Sequence, residues 1–342
     1  MGASKSKSAD RGDVAAAAAA SASSSDVASR LARARKLHAL DLSRIAGLSA
    51  LPAEAALLPP LRRLDVSHTA LRALPALGTY AKLDQLDASS CALAGAQPSL
   101  ACAAVLTQLS LRGNAGLVAA DLAPPGFALP ASLRALSLAG CASLREVPRS
   151  LRGAAGAALA RLERLDLSAC GLRSLPASLA ALGASLLELS LDDNGLASLA
   201  LVDDPEDGGS SSRADAGGGV SPGAGGAAAG VGAGAGAVAA NAAAADASSD
   251  AARTWAAFSV LTTLSARRCR LECSPAALPE ALLARTRLSA LALGGNAALS
   301  AAAVLRLPGC ADFEARRAAR ISKGMTSAGD ADQDRSFCGL DR

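Results

Sequence analysis

The stretch LERLDLSACGLRSLP, Leu162 to Pro176, sets leucines at 162, 165, 167, 172 and 175 and a cysteine at 170. Taken alone, Cys170 admits four readings: nucleophile, metal ligand, half of a disulfide, or structural filler. Recurrence separates them, because internal repeats decide a fold before any single motif does. The pattern LxxLxL returns as LHALDL from Leu37, LRRLDV from Leu61, LDQLDA from Leu83, LTQLSL from Leu106 and LRALSL from Leu133. After LERLDL at Leu162 it continues as LLELSL from Leu186, LTTLSA from Leu261 and LSALAL from Leu288. The intervals between starts are 24, 22, 23, 27, 29, 24, 75 and 27 residues.

All intervals but one fall in the range of roughly 20 to 29 residues found in leucine-rich repeats. At these residues, from Leu37 to Leu299 apart from one interruption, the chain resembles the leucine-rich repeat family. The resemblance implies an α/β solenoid of about nine repeats. Each LxxLxL would be a short strand of a curved parallel sheet on the concave side, and the returns on the convex side would be irregular or briefly helical. The physical logic agrees: one repeat cannot bury its leucine face alone, whereas stacked repeats can.

The interval of 75 becomes an ordinary repeat once residues 203–252 are removed. That segment, centred on GGGVSPGAGGAAAGVGAGAGA, is too poor in apolar side chains to offset its ordering entropy, so it reads as a flexible insert in a convex return. The remaining boundaries are a disordered arm over 1–26, a capping helix over 27–36, repeats over 37–202, repeats and a C-terminal cap over 253–312, and a basic helix with a flexible tail over 313–342. In the cap, SAAAVLRLPG reads as a short helix begun by Ser300 and stopped by Pro308, and DFEARRAARISK as a second helix.

Position nine of the repeat carries Asn114, Asn194 and Asn296 in three units and Cys91, Cys141, Cys170 and Cys269 in four. A side chain turning inward here satisfies backbone carbonyls of the turn, and a thiol is a weak donor that tolerates burial. These seven residues read as a structural ladder. Cys269 and Cys273 form a CxxxC without a second pair, and the two histidines, His38 and His68, have no evident cysteine partner, so neither a zinc site nor a Cys/His hydrolase is expected. No catalytic residue, metal or cofactor is assigned.

A partner would meet the exposed face of the sheet at Arg63, Asp65, Asp87, Arg112, Arg164, Asp166, Glu188, Asp192 and Arg267. Aspartates stacked along parallel strands suit a basic peptide, yet LDLS is so common in this repeat that a hydrogen-bonded surface ladder is the preferred explanation. Aromatic residues make up 2% of the chain, so the usual interface anchors are scarce. The net charge of +4 over 342 residues is small and gives no reason to expect nucleic acid.

The opening MGASKS matches MGxxxS, which marks Gly2 for N-myristoylation once Met1 is removed. One myristoyl chain holds a membrane only marginally, so Lys5, Lys7 and Arg11 would have to add attraction to an anionic surface. No secretory signal is visible, which points to the cytosol, where the eight cysteines stay reduced. The tail PGCADFEARRAARISKGM, followed by CGLDR, is similar to the C-terminal end of plant and algal relatives of leucine-rich repeat-containing protein 57. That resemblance implies a small intracellular adaptor and no reaction. The expectation is therefore a monomeric, non-catalytic interaction scaffold for an unidentified protein, peripheral at a cytoplasmic membrane face. The alternative is a soluble regulatory subunit of a phosphatase or small GTPase.

Overall fold

In a computed structural model, residues 14–16, 38–51, 61–74, 76–122, 128–152, 159–203, 255–322 and 337–340 are described. The expected capping helix over 27–36, the lipidation site at Gly2 and nearly all of the insert over 203–252 lie outside them. Each LxxLxL contributes one three-residue strand built on its third to fifth positions: β2 Ala39–Asp41, β3 Arg63–Asp65, β4 Gln85–Asp87, β5 Gln108–Ser110 and β6 Ala135–Ser137. The series goes on with β7 Arg164–Asp166, β9 Glu188–Ser190, β11 Thr263–Ser265 and β12 Ala290–Ala292. Neighbouring strands pair in parallel without slippage, Leu40 against Leu64, Leu64 against Leu86, and so on to Leu264 against Leu291.

This register follows from the leucines. Strand side chains alternate between faces, so a slip of one residue would turn the buried leucine of each strand outward. In the central repeat Leu162 and Leu167 are fully buried and Leu165 is 2% exposed, and the same three positions are buried in the repeats beside it. Burial of a leucine side chain stabilises the fold by about 1.5–3 kcal/mol, so a slipped strand loses the contribution of its central leucine at once.

Two features depart from the sequence reading. The sheet has ten strands, because β1 Val14–Ala16, inside the arm expected to be disordered, pairs with β2 and covers the N-terminal edge. On the opposite side, β8 Leu175–Pro176 and β10 Leu201–Val202 form a separate two-stranded parallel sheet. The other returns are mostly short 3-10 turns, such as Pro98–Cys102 and Ala119–Leu122.

The base of the insert is firmly built. Trp255 is fully buried, donates from Nε1 to the Leu199 carbonyl at 2.8 Å and packs its ring 4.8 Å from Phe258. Gly183 lies under this turn; a Cβ there would sit 2.5 Å from the Ala257 carbonyl oxygen. The chain therefore leaves and re-enters the repeat array at a packed junction.

The C-terminal end holds three helices: α1 Glu280–Ala284, α2 Ala301–Val304 and α3 Cys310–Ser322. Ser300 caps α2 by accepting from the Ala303 N–H at 3.3 Å. α3 packs on α1, and its arginines are spent on the last repeat: Arg316 donates to the Leu288 and Leu283 carbonyls and Arg320 to Ser289. These basic residues close the end of the solenoid and do not form a free cationic face. The flexible tail also needs correction, since Phe337, Cys338 and Leu340 are buried against this end.

Candidate functional site

The residues between the inward leucines face outward along the strands and line one concavity of about 390 Å³. Its walls come from β3 to β7 and β9, with Arg63, Gln85, Asp87, Gln108, Ser110, Ser137, Arg164, Asp166 and Glu188 among them. Five of the nine partner-face residues named from sequence thus meet in it: Arg63, Asp87, Arg164, Asp166 and Glu188. The other four, Asp65, Arg112, Asp192 and Arg267, lie outside its lining. Gln85 and Gln108, neighbours in register on β4 and β5, were not singled out from sequence because their uncharged side chains give no pattern across repeats.

The aspartates of position five have a local task. Oδ1 of Asp41, Asp65, Asp87 and Asp166 accepts the N–H two residues on, from Ser43, Ser67, Ser89 and Ser168, at 2.9–3.1 Å. This bond tightens the exit from the strand. Asp166 Oδ2 is used as well, taking the Ser137 hydroxyl at 3.1 Å. The Oδ2 atoms of Asp41, Asp65 and Asp87 take no hydrogen bond from the described residues, so the adjacent strands β2, β3 and β4 carry three carboxylates on one face. At the other end Arg164 pairs with Glu188 at 3.4 Å, both exposed, and Asp192 Oδ1 is held by the Ser265 hydroxyl and the Arg267 N–H. Positions three and five together hold Asp41, Asp65, Asp87, Asp166 and Glu188 against Arg63 and Arg164, an acidic strip on a chain of net charge +4.

Position eight takes the left-handed conformation in all nine repeats, at Arg44, His68, Ser90, Gly113, Gly140, Ala169, Asp193, Arg268 and Gly295. The chain turns inward here and delivers position nine to the core. Asn114 Nδ2 donates to Ala88 at 2.9 Å and Leu111 at 2.8 Å, while its Oδ1 accepts the Leu93 N–H. Asn194 and Asn296 repeat the arrangement three and five repeats further on, with Leu167 and Leu191, and with Ala266 and Leu293. The four thiols reach the matching carbonyl of the preceding repeat: Cys91 to Val66, Cys141 to Leu111 and Cys170 to Leu138 at 3.2 Å, and Cys269 to Leu191 at 3.3 Å. Burial pushes Cys170 up to about 12 and raises Cys141 and Cys269 as well, which keeps these sulfurs protonated donors.

One parallel strand per repeat, matched position by position, with an inward hydrogen-bonding column at position nine, decides the architecture. The fold is a leucine-rich repeat solenoid. It is similar to the internalin InlF of Listeria monocytogenes, with a TM-score of 0.50 and 13% identity over 84% of this chain and 66% of that one. It is also similar to a leucine-rich repeat protein of Leptospira interrogans, at TM-score 0.46 and 16% identity over 81% and 60% of the two chains. Human 5T4, the Wnt-activated inhibitory factor 1, gives TM-score 0.46 and 19% identity over 81% and 87%. The solenoid spans less than two thirds of the length of the bacterial proteins. No protein-family model and no curated protein sequence matches the chain.

Among the described residues, no group of three or more His, Cys, Asp or Glu is placed to hold a metal ion, and no helix is long and apolar enough to cross a membrane. His38 and His68 are both exposed on the solenoid, and no thiol of the position-nine column points to them. Cys338, in the tail expected to be flexible, is 1% exposed, whereas Cys102 is exposed.

Proposed function

We propose that the protein is a non-catalytic interaction scaffold whose concave strand face receives an extended, basic segment of a protein partner. The observation that carries this reading is the row of Oδ2 atoms on Asp41, Asp65 and Asp87, with Gln85 and Gln108 beside it as side chains able to donate to and accept from a peptide backbone. A shallow, polar groove without aromatic anchors suits a reversible contact guided by charge. Basic partners are steered to such a strip, and screening shortens its reach to about 8 Å at physiological salt.

An array of ten-residue peptides with basic, neutral and acidic compositions tests the reading on the full chain. Retained peptides should be enriched in Lys and Arg, and the enrichment should disappear in the Asp65→Lys, Asp87→Lys double variant. Retention that ignores peptide charge, or that survives the double variant, rejects the proposal.

The arm adds a second element, supported by the MGASKS match. Myristoylated Gly2, aided by Lys5, Lys7 and Arg11, would bring the scaffold to an anionic membrane surface. Flotation with vesicles containing phosphatidylserine should retain the myristoylated chain and lose Gly2→Ala; equal recovery removes this element and leaves the groove untouched.

A further inference from the structure

The turns that leave the strands stack as regularly as the strands do. At all eight junctions between repeats the position-eight N–H donates to the position-seven carbonyl of the next repeat, from Arg44 to Ser67 through Arg268 to Gly294, at 2.6–2.9 Å. These turns form one rim of the solenoid, beside the strand face. In the first six repeats the rim carries five exposed arginines. Arg44 stands at position eight and Arg112 at position seven, while Arg72, Arg145 and Arg173 directly follow the buried Leu71, Leu144 and Leu172. Arg112, which lies outside the concavity, thus belongs to this rim.

The side chains around these arginines are short, since position ten is alanine in the first five repeats and Gly171 in the sixth. Arg145 Cγ lies 3.9 Å from where a Cβ on Gly171 would stand and Arg173 Cγ 3.8 Å from one on Gly195, so each stem crosses the glycine of the next repeat. Among the described residues none of the five arginines takes part in an ion pair. Glu146, beside Arg145 in the chain, is taken by Arg152 at 3.3 Å. From the seventh repeat the balance changes: Asp192, Asp193 and Glu272 stand among the arginines, and Asp193 holds Arg268. The uncompensated positive charge is therefore confined to the six repeats nearest β1, where the N-terminal arm joins the sheet.

We propose that this rim is a docking face for an anionic bilayer surface. Its six turns extend over about 24 Å at the spacing of adjacent strands, and a row of guanidinium groups above short side chains matches a plane of charged head groups. Every aromatic ring among the described residues is buried, so the rim offers no platform on which a nucleic-acid base could stack. The chain from Gly2 to β1 reaches about 40 Å when extended, enough for the start of the arm and the rim to meet one surface. The rim needs neither modification of Gly2 nor a bound peptide. With it on the bilayer, the acidic strip of the adjoining strand face stays open to a basic partner.

Co-sedimentation of the full, unmyristoylated chain with vesicles tests this, so the result is independent of whether Gly2 is modified. Vesicles of equimolar phosphatidylserine and phosphatidylcholine should retain the chain at low salt, and vesicles of phosphatidylcholine alone should not. Each rim arginine should contribute about fivefold, so the triple variant Arg72→Gln, Arg112→Gln, Arg145→Gln should lower the partition coefficient about fiftyfold or more. Lysine at the same three positions should restore it. The triple variant Arg285→Gln, Arg287→Gln, Arg306→Gln makes the same change of net charge at the C-terminal end and should bind as the wild type does. Retention that does not depend on phosphatidylserine, or an equal loss in both glutamine triples, overturns the proposal. So does a rim triple that keeps its hold on the vesicles while losing a single-stranded RNA oligonucleotide that the wild type binds.

Discussion

The sulfur of Cys170 donates to the Leu138 carbonyl at 3.2 Å, the bond that Asn194 Nδ2 makes one repeat later to Leu167 at 2.9 Å. A thiol and an amide thus perform one task at one place in the repeat. Asparagine adds what sulfur lacks, an acceptor for the N–H groups of the preceding repeat: Asn194 Oδ1 takes those of Cys170 and Leu172. Cys170→Asn should therefore cost less than about 1 kcal/mol, and Cys170→Leu about 1–3 kcal/mol, because leucine overfills the site and removes one of the two donors to the Leu138 carbonyl, leaving the Cys141 N–H as the other. Urea unfolding of the two variants checks the order, and a leucine variant as stable as the asparagine one would contradict it.

The turn before the ladder makes a second prediction. Ala169 and Gly140 occupy the same position-eight turn in neighbouring repeats, at φ 53° and 77°. Only the alanine carries the steric cost of the left-handed region, and no side-chain bond compensates it. Ala169→Gly should raise stability by about 0.5–1 kcal/mol despite the greater freedom of glycine in the unfolded chain, and Gly140→Val should lower it by more than that. Matched denaturation curves decide; a destabilising Ala169→Gly would mean the turn is not strained.

Alkaline pH gives a third. Burial raises the Cys170 thiol from 9.0 to about 12 and the Tyr80 phenol from 10.0 to about 12. Both groups are neutral when protonated, so the folded chain keeps protons that the unfolded chain has released. Their stabilising effect is whole below pH 9 and declines as pH rises from 9 toward 12, by up to about 1.4 kcal/mol per pH unit for each group past its unfolded value. The urea midpoint should fall between pH 8 and about pH 10.5, and Cys170→Asn should lessen the fall. A midpoint that is flat across this range in both proteins would contradict the burial assigned to Cys170.

The array of strands was legible because leucine at positions one, four and six and Asn or Cys at position nine recur at near-constant spacing, and burial enforces that register. The same reasoning placed Arg63, Asp87, Arg164, Asp166 and Glu188 on one face, since strand alternation fixes which side they take. Contacts that occur once were not legible. Phe337–Leu340 docks through a single ladder bond to Leu293 and an aromatic contact to Phe313, and no periodicity announces a four-residue segment so far from its partner strand. Cys338 was accordingly placed in a flexible tail, yet it is 1% exposed. Gln85 and Gln108 escaped notice for a related reason: their place in the groove comes from the pairing of β4 with β5 and from no feature of their own.

The central claim is that partners meet the protein on the strand face, at the acidic strip. A photo-crosslinking residue placed at Gln108, on the groove wall, and separately at Ser178, on the convex return, tests it in cells, with crosslinked segments read by mass spectrometry. The account predicts adducts from the Gln108 site on Lys- and Arg-rich segments, lost when Asp65 and Asp87 are both changed to Lys, and few from the Ser178 site. Equal adducts from both sites, or adducts at Gln108 that survive the charge reversal, would contradict it.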